Sequence, residues 1–108
     1  MMDEGGMNMK RVIKFKFEEK EGYLSVVEKG NLYYSLVQKD TPKVKDIQKS
    51  HQLLVSYDLK QPVYVFKPAR IVEDPKLTQW VYETLEKENN VYFKTLDDSL
   101  CVVEIPKE

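Results

Sequence analysis

Two dipeptides, Thr41-Pro42 and Asp74-Pro75, divide this chain more sharply than any other feature in it. Thr and Asp are strong N-caps, because their side-chain oxygens accept hydrogen bonds from the open backbone N–H groups of a first helical turn. Proline suits the position that follows, where its missing N–H loses nothing. Each pair therefore predicts a helix start. The first helix is predicted over residues 42–49, with Val44 and Ile47 facing inward. The second starts at Pro75 and stops at Asn89-Asn90, with Leu77, Trp80, Val81 and Leu85 forming a stripe at helical spacing and a charged opposite face.

The three remaining pieces read as strands. Val12–Phe17 alternates, with Ile13, Phe15 and Phe17 on one face and Lys14 and Lys16 on the other, which is the period of a half-buried strand. Residues 18–22 turn the chain. Two aromatic and β-branched runs, 23–28 and 32–37, flank Lys29-Gly30-Asn31 and predict a hairpin. Residues 52–57 and 63–72 form the next pair around a turn at 58–62. Pro68 inside the second cannot donate to a ladder, so a bulge or an edge is expected there. Residues 91–96 and 99–105 complete the set around Asp97-Asp98, and Pro106 ends the last strand. The sum is a mainly β, α+β chain: six or seven strands in a mostly antiparallel sheet that curls into a small barrel, with two short helices over its open ends. Residues 1–9, rich in Gly and Met and without periodicity, read as a disordered tail, and 10–108 as one domain.

Several function classes lose support on composition. Lys plus Arg number 17 against 18 for Asp plus Glu, so no global field favours nucleic acid. No apolar run approaches the roughly 20 residues that cross a bilayer, and the start MMDEGGMNMK lacks the apolar centre of a signal peptide, so a cytoplasmic location is expected. One cysteine, Cys101, and one histidine, His51, make neither an intrachain disulfide nor a convincing metal site. Nothing pairs His51 with a nucleophile, and Cys101 alternates with Leu100 and Val102 in an apolar run, where a buried, inert thiol is expected. Glu18-Glu19 and Asp97-Asp98 fall in turns and read as solvated charge. No catalytic residue emerges, so an enzyme built on this chain would depend on a cofactor.

The stretch DTPKVKDIQKS is the exception, because it places Lys43 and Lys45 at a helix start. The unpaired N–H groups and partial positive charge of that end favour acids and disfavour bases by a few tenths of a kcal/mol up to about 1. An anion resting on the Thr41 hydroxyl, the N–H groups of Lys43 and Val44, and the Lys43 ammonium would turn this penalty into an attraction. The alternative is that Asp40 neutralises the turn and both lysines point into water.

LYYSLVQKDTPKVKDI resembles the strand that enters a Ser/Thr-x-Lys-Val-Arg/Lys-Asn-Leu helix start in the pyridoxamine 5'-phosphate oxidase-like split barrels, including the general stress protein group. VYVFKPARIVEDP resembles the V-x-V-x-G-x-A-x-x-V-x-D-P strand that follows, with Val63, Val65, Ala69, Val72, Asp74 and Pro75 on the pattern. The tryptophan-bearing helix and closing strand come in the same order. The resemblance implies a six-stranded antiparallel split barrel that forms a homodimer and binds FMN between subunits, with Lys43 at the flavin phosphate and Thr41 beside it. It also implies hydride or electron transfer to a small molecule whose identity the residues do not specify. The chain departs from the family pattern at Val37, where many members have threonine, at Lys67, where the pattern has glycine, and in a shortened N-terminal hairpin for which Arg11, Lys14 or Lys16 could supply a basic residue. These departures motivate an alternative: a cofactor-free split-barrel dimer acting as a small-ligand or protein-interaction module.

Overall fold

Ala69 is the joint on which the architecture turns. In the computed structural model, which describes residues 11–107, seven strands form one antiparallel sheet. They are β1 (Val12–Phe17), β2 (Lys20–Lys29), β3 (Leu32–Gln38), β4 (Gln52–Ser56), β5 (Val65–Pro68), β6 (Arg70–Val72) and β7 (Leu100–Pro106); helix α1 (Pro42–Ser50) follows β3 and helix α2 (Pro75–Lys87) follows β6. The strand order is β5-β4-β1-β2-β3-β7-β6. The two end strands are thus neighbours in sequence, separated only by Ala69, and the chain passes from one edge of the sheet to the other there. This bends the sheet into a barrel. Ala69 is buried, and its N–H donates to the His51 carbonyl at 3.0 Å. The disruption expected at Pro68 is this corner, and residues 65–72 taken as one bent strand reduce seven strands to the six expected.

The barrel has two halves, and β2 belongs to both. Its residues 20–25 pair with β1, while residues 26–29 pair with β3. Only Glu18 and Glu19 form the β1–β2 turn, with Glu18 at φ 57, so the turn is tighter than the 18–22 expected and Gly22 lies within β2.

Strand alternation sends side chains to opposite faces and produces two apolar layers. Ile13, Leu24, Val26, Val37, Leu53, Val55, Cys101, Val103 and Ile105 fill the interior together with Val44 and Ile47 of α1. Val27, Tyr34, Leu36, Leu100 and Val102 face outward beneath Val81, Tyr82 and Leu85 of α2. Each fully buried aliphatic side chain contributes about 1.5–3 kcal/mol of transfer free energy. The second helix therefore covers the outer face of the β2, β3 and β7 strands rather than an open end.

Two other expectations are corrected. Residues 91–96 do not form a strand, because both edges of β7 are already taken, by β3 and by β6. Their alternation survives in packing, with Val91 and Phe93 against the outer layer and Tyr92 83% exposed. Trp80 is not in the core: the buried arc of α2 is Thr78, Val81, Tyr82 and Leu85, and Trp80 lies on its flank, 37% exposed, edge-on to Tyr34 at 6.4 Å and beneath the Lys29 ammonium at 5.3 Å. The reading of residues 1–9 as a tail lies outside the described residues. Among those described, no helix is long and apolar enough to cross a membrane.

Candidate functional site

The first turn of α1 opens on a cleft of about 740 Å³. Thr41 has extended backbone at φ −115, ψ 152, and caps the helix as expected. Its hydroxyl oxygen accepts from the Val44 N–H at 3.4 Å, and the hydroxyl donates to the Gln38 carbonyl at 3.0 Å. Pro42 has no N–H, and the Lys45 N–H donates to the Thr41 carbonyl at 3.1 Å. Among the described residues, the Lys43 N–H therefore stands without a protein acceptor in this turn, which also contains no acid. Val44 itself is buried, so only its backbone could meet a ligand, and that N–H is engaged in the long capping bond.

Lys43 supplies a second free group. Its side chain is half-buried, its Nζ lies 4.1 Å from the centroid of the Phe15 ring, and among the described residues it forms no ion pair. Burial pushes its ammonium below the ordinary lysine range. Lys45, two residues on, is exposed, and the two lysines of the helix start are thus separated by environment.

Three elements build the remaining walls. The β1–β2 hairpin contributes Phe15, Phe17, Glu18, Lys20, Glu21 and Tyr23; the end of β3 contributes Ser35 to Gln38, including Val37; Leu85, Tyr92 and Phe93 close the opposite side. The Ser35 hydroxyl is committed to the Ser25 carbonyl at 2.6 Å. Mostly apolar, aromatic-rich walls with a few polar groups and a volume within about 300–1,000 Å³ are the usual form of a small-molecule site.

Thr41 and Lys43 line one mouth of this cleft; Val44 does not line it, lying buried in the core and reaching Thr41 only through its backbone N–H. Nor do the other candidates. Arg11 pairs with Glu28, Lys14 pairs with Glu21 at 3.2 Å, and Lys16 lies over Tyr64, so none of the three lines the cleft, whereas Lys20 does. His51 is an exposed helix cap at φ 59. Cys101 is buried inside the barrel, and desolvation pushes its thiol up to about 11, an inert state. Tyr33 and Tyr34 take opposite faces, and neither reaches the cleft: Tyr33 packs near Tyr57 at 6.1 Å, and Tyr34 against Trp80. Among the described residues, no group of three or more His, Cys, Asp or Glu could hold a metal.

Phe15, Gly22, Tyr92 and Phe93 are the site residues that sequence reading did not single out. A glycine inside a strand marks a close approach, and Gly22 could have been found on that ground. Phe15 sits opposite Gly22 in the β1–β2 register, and a Cβ at Gly22 would lie 2.8 Å from Cε1 and Cζ of the Phe15 ring.

No family model matches the sequence, and no curated protein matches it. Solved structures do resemble the fold. A candidate pyridoxamine 5'-phosphate oxidase from Listeria innocua superposes with a TM-score of 0.59 at 16% identity, covering 90% of this chain and 82% of that one. A candidate 5-nitroimidazole antibiotic resistance protein from Bacteroides thetaiotaomicron gives 0.61 at 9% identity, covering 95% and 76%. A NimC/NimA family protein from Clostridium acetobutylicum gives 0.57 at 12% identity, covering 94% and 75%. At these identities the likeness shows the fold alone, a split barrel like those of these three proteins.

Proposed function

We propose that this chain is a cytoplasmic, homodimeric FMN-binding flavoprotein and an oxidoreductase acting on a small molecule. The observation that carries the reading is Lys43: a half-buried ammonium without an ion pair among the described residues, on the same residue as an uncommitted helix N–H, at the mouth of an apolar cleft. A phosphate satisfies both groups of Lys43 at once, and the aromatic walls suit a flat ring system. The Val44 N–H joins by giving up the 3.4 Å capping bond, and the Thr41 hydroxyl by turning its proton from the Gln38 carbonyl to the phosphate, a charged acceptor. Bound FMN would supply the hydride or electron transfer, and the protein would supply grip, orientation and exclusion of water.

The homodimer has separate support. By strand register, Tyr23, Lys14, Lys16, Leu54 and Phe66 share the outer face of the β2-β1-β4-β5 half. No helix among the described residues covers that face, and Tyr23 and Phe66 are 62% and 60% exposed. Large exposed aromatics on an uncovered sheet face suit a second copy.

Gel filtration with absorbance detection, after incubation with FMN and removal of excess, tests both parts. The expected result is one species at about twice the 12.8 kDa chain mass, carrying flavin absorbance. A dimer that carries no flavin would replace this reading with the cofactor-free module.

A further inference from the structure

We propose that Phe15, seated on Gly22, is the positioning residue of the anion site: its ring face holds the Lys43 ammonium over the cleft without neutralising it. This rests on the anion-binding reading above and deepens it.

A flexible lysine can be held in place in two ways. A carboxylate would fix the ammonium and cancel its charge, leaving little for a ligand. The face of an aromatic ring attracts a cation through its quadrupole and carries no net charge, so the ammonium stays available. At 4.1 Å from the ring centroid, Lys43 makes the shortest of the cation–ring contacts among the described residues; the others lie between 5.3 and 5.9 Å. It is also a half-buried cation with no ion pair among those residues. The ring in turn has a fixed seat. Phe15 packs against the barrel core, and its outer edge lies where a Cβ at position 22 would be, so Gly22 is the residue that lets the ring rest on β2. The stack runs from β2 backbone to ring to ammonium.

Phe15→Leu removes the ring, Gly22→Ala lifts it while keeping the phenylalanine, and Phe15→Tyr keeps it. NMR of the lysine ε-methylene groups, with the Lys43 signal identified by its loss in Lys43→Arg, reads the contact without any ligand. In the unsubstituted protein the Lys43 protons are expected upfield, shielded by the ring. That displacement is lost in folded Phe15→Leu, reduced in Gly22→Ala and kept in Phe15→Tyr. FMN affinity falls about three- to tenfold in the first two and is retained in the third, while affinity for riboflavin, which has no phosphate, stays within about twofold throughout.

A Lys43 signal unmoved by Phe15→Leu, or equal weakening of FMN and riboflavin, would overturn the proposal. Failure of the unsubstituted protein to bind FMN would remove the flavin reading alone, and the NMR arm would still decide whether Phe15 holds Lys43.

Discussion

The side-chain amide of Asn90 donates to the Arg11 carbonyl at 2.9 Å, across 79 residues of chain. The same carbonyl accepts the Val26 N–H at 3.0 Å, where β2 leaves one half of the barrel for the other. Asn90, whose N–H also closes the end of α2 on the Leu85 carbonyl at 2.8 Å, thus ties the start of β1 to the switch point. Asn90 is buried, so Asn90→Ala removes a hydrogen bond from a site that water does not readily repair. A loss of about 1–3 kcal/mol is expected, read as a lower urea midpoint with an unchanged slope.

Ala69 has no room to grow. It sits at the corner between β5 and β6, 3% exposed and in contact with the interior layer. Ala69→Leu forces three more carbons into that corner and is expected to destabilise by about 1–3 kcal/mol. Thermal unfolding checks this, and a melting temperature equal to that of the unsubstituted protein would contradict the closed corner.

Thr41 has two jobs that different substitutions separate. Thr41→Ala removes the cap and is expected to lower stability by about 1 kcal/mol in the absence of FMN. Thr41→Asp keeps a good cap, so stability stays within about 0.5 kcal/mol, but it places a negative charge where the phosphate would rest. FMN affinity should then fall more in Thr41→Asp than in Thr41→Ala, as fluorescence titration would record.

Alkaline pH should loosen the fold through Cys101. Burial raises its thiol from 9.0 to about 11, so between those values the folded chain keeps a proton that the unfolded chain releases. This contribution to stability is complete below 9.0 and is lost as pH rises through about 11. Urea midpoints across that window should fall more steeply for the unsubstituted protein than for Cys101→Ala.

Lys43 has the opposite sign for stability. Its folded-state value is lowered by burial, so the charged ammonium opposes folding and the chain gains stability as pH climbs through that lowered value. Anion binding needs the same charge and is lost over the same interval, below the 10.5 of an ordinary lysine. FMN titrations across alkaline pH should lose affinity earlier in the unsubstituted protein than in Lys43→Arg, whose guanidinium does not titrate there.

Local signals in the sequence carried most of the fold. Thr41-Pro42, Asp74-Pro75 and Asn89-Asn90 marked the helix ends because caps and proline act within one turn, and Pro68 marked the corner because a missing N–H needs no distant partner to matter. The misreadings depend on distant neighbours. Residues 91–96 have a strand's alternation but no vacant edge, which only the pairing of β7 with β3 and β6 decides. Trp80 lies at helical spacing with Leu77, but the sheet meets the arc through Tyr82 and Leu85 instead. At the site, Lys43 stood out as a cation in an unfavourable place. Phe15 did not, because its role arises across the hairpin from Gly22, and register is not written in either residue alone.

Calorimetric titration of the intact protein with FMN and, separately, with riboflavin tests the central claim most directly. The two ligands differ only in the phosphate assigned to Lys43. The account predicts that FMN binds with micromolar or tighter affinity, that riboflavin binds at least about tenfold more weakly, and that Lys43→Ala removes the difference. Equal affinity for the two, or no heat with FMN at micromolar concentration, would contradict it.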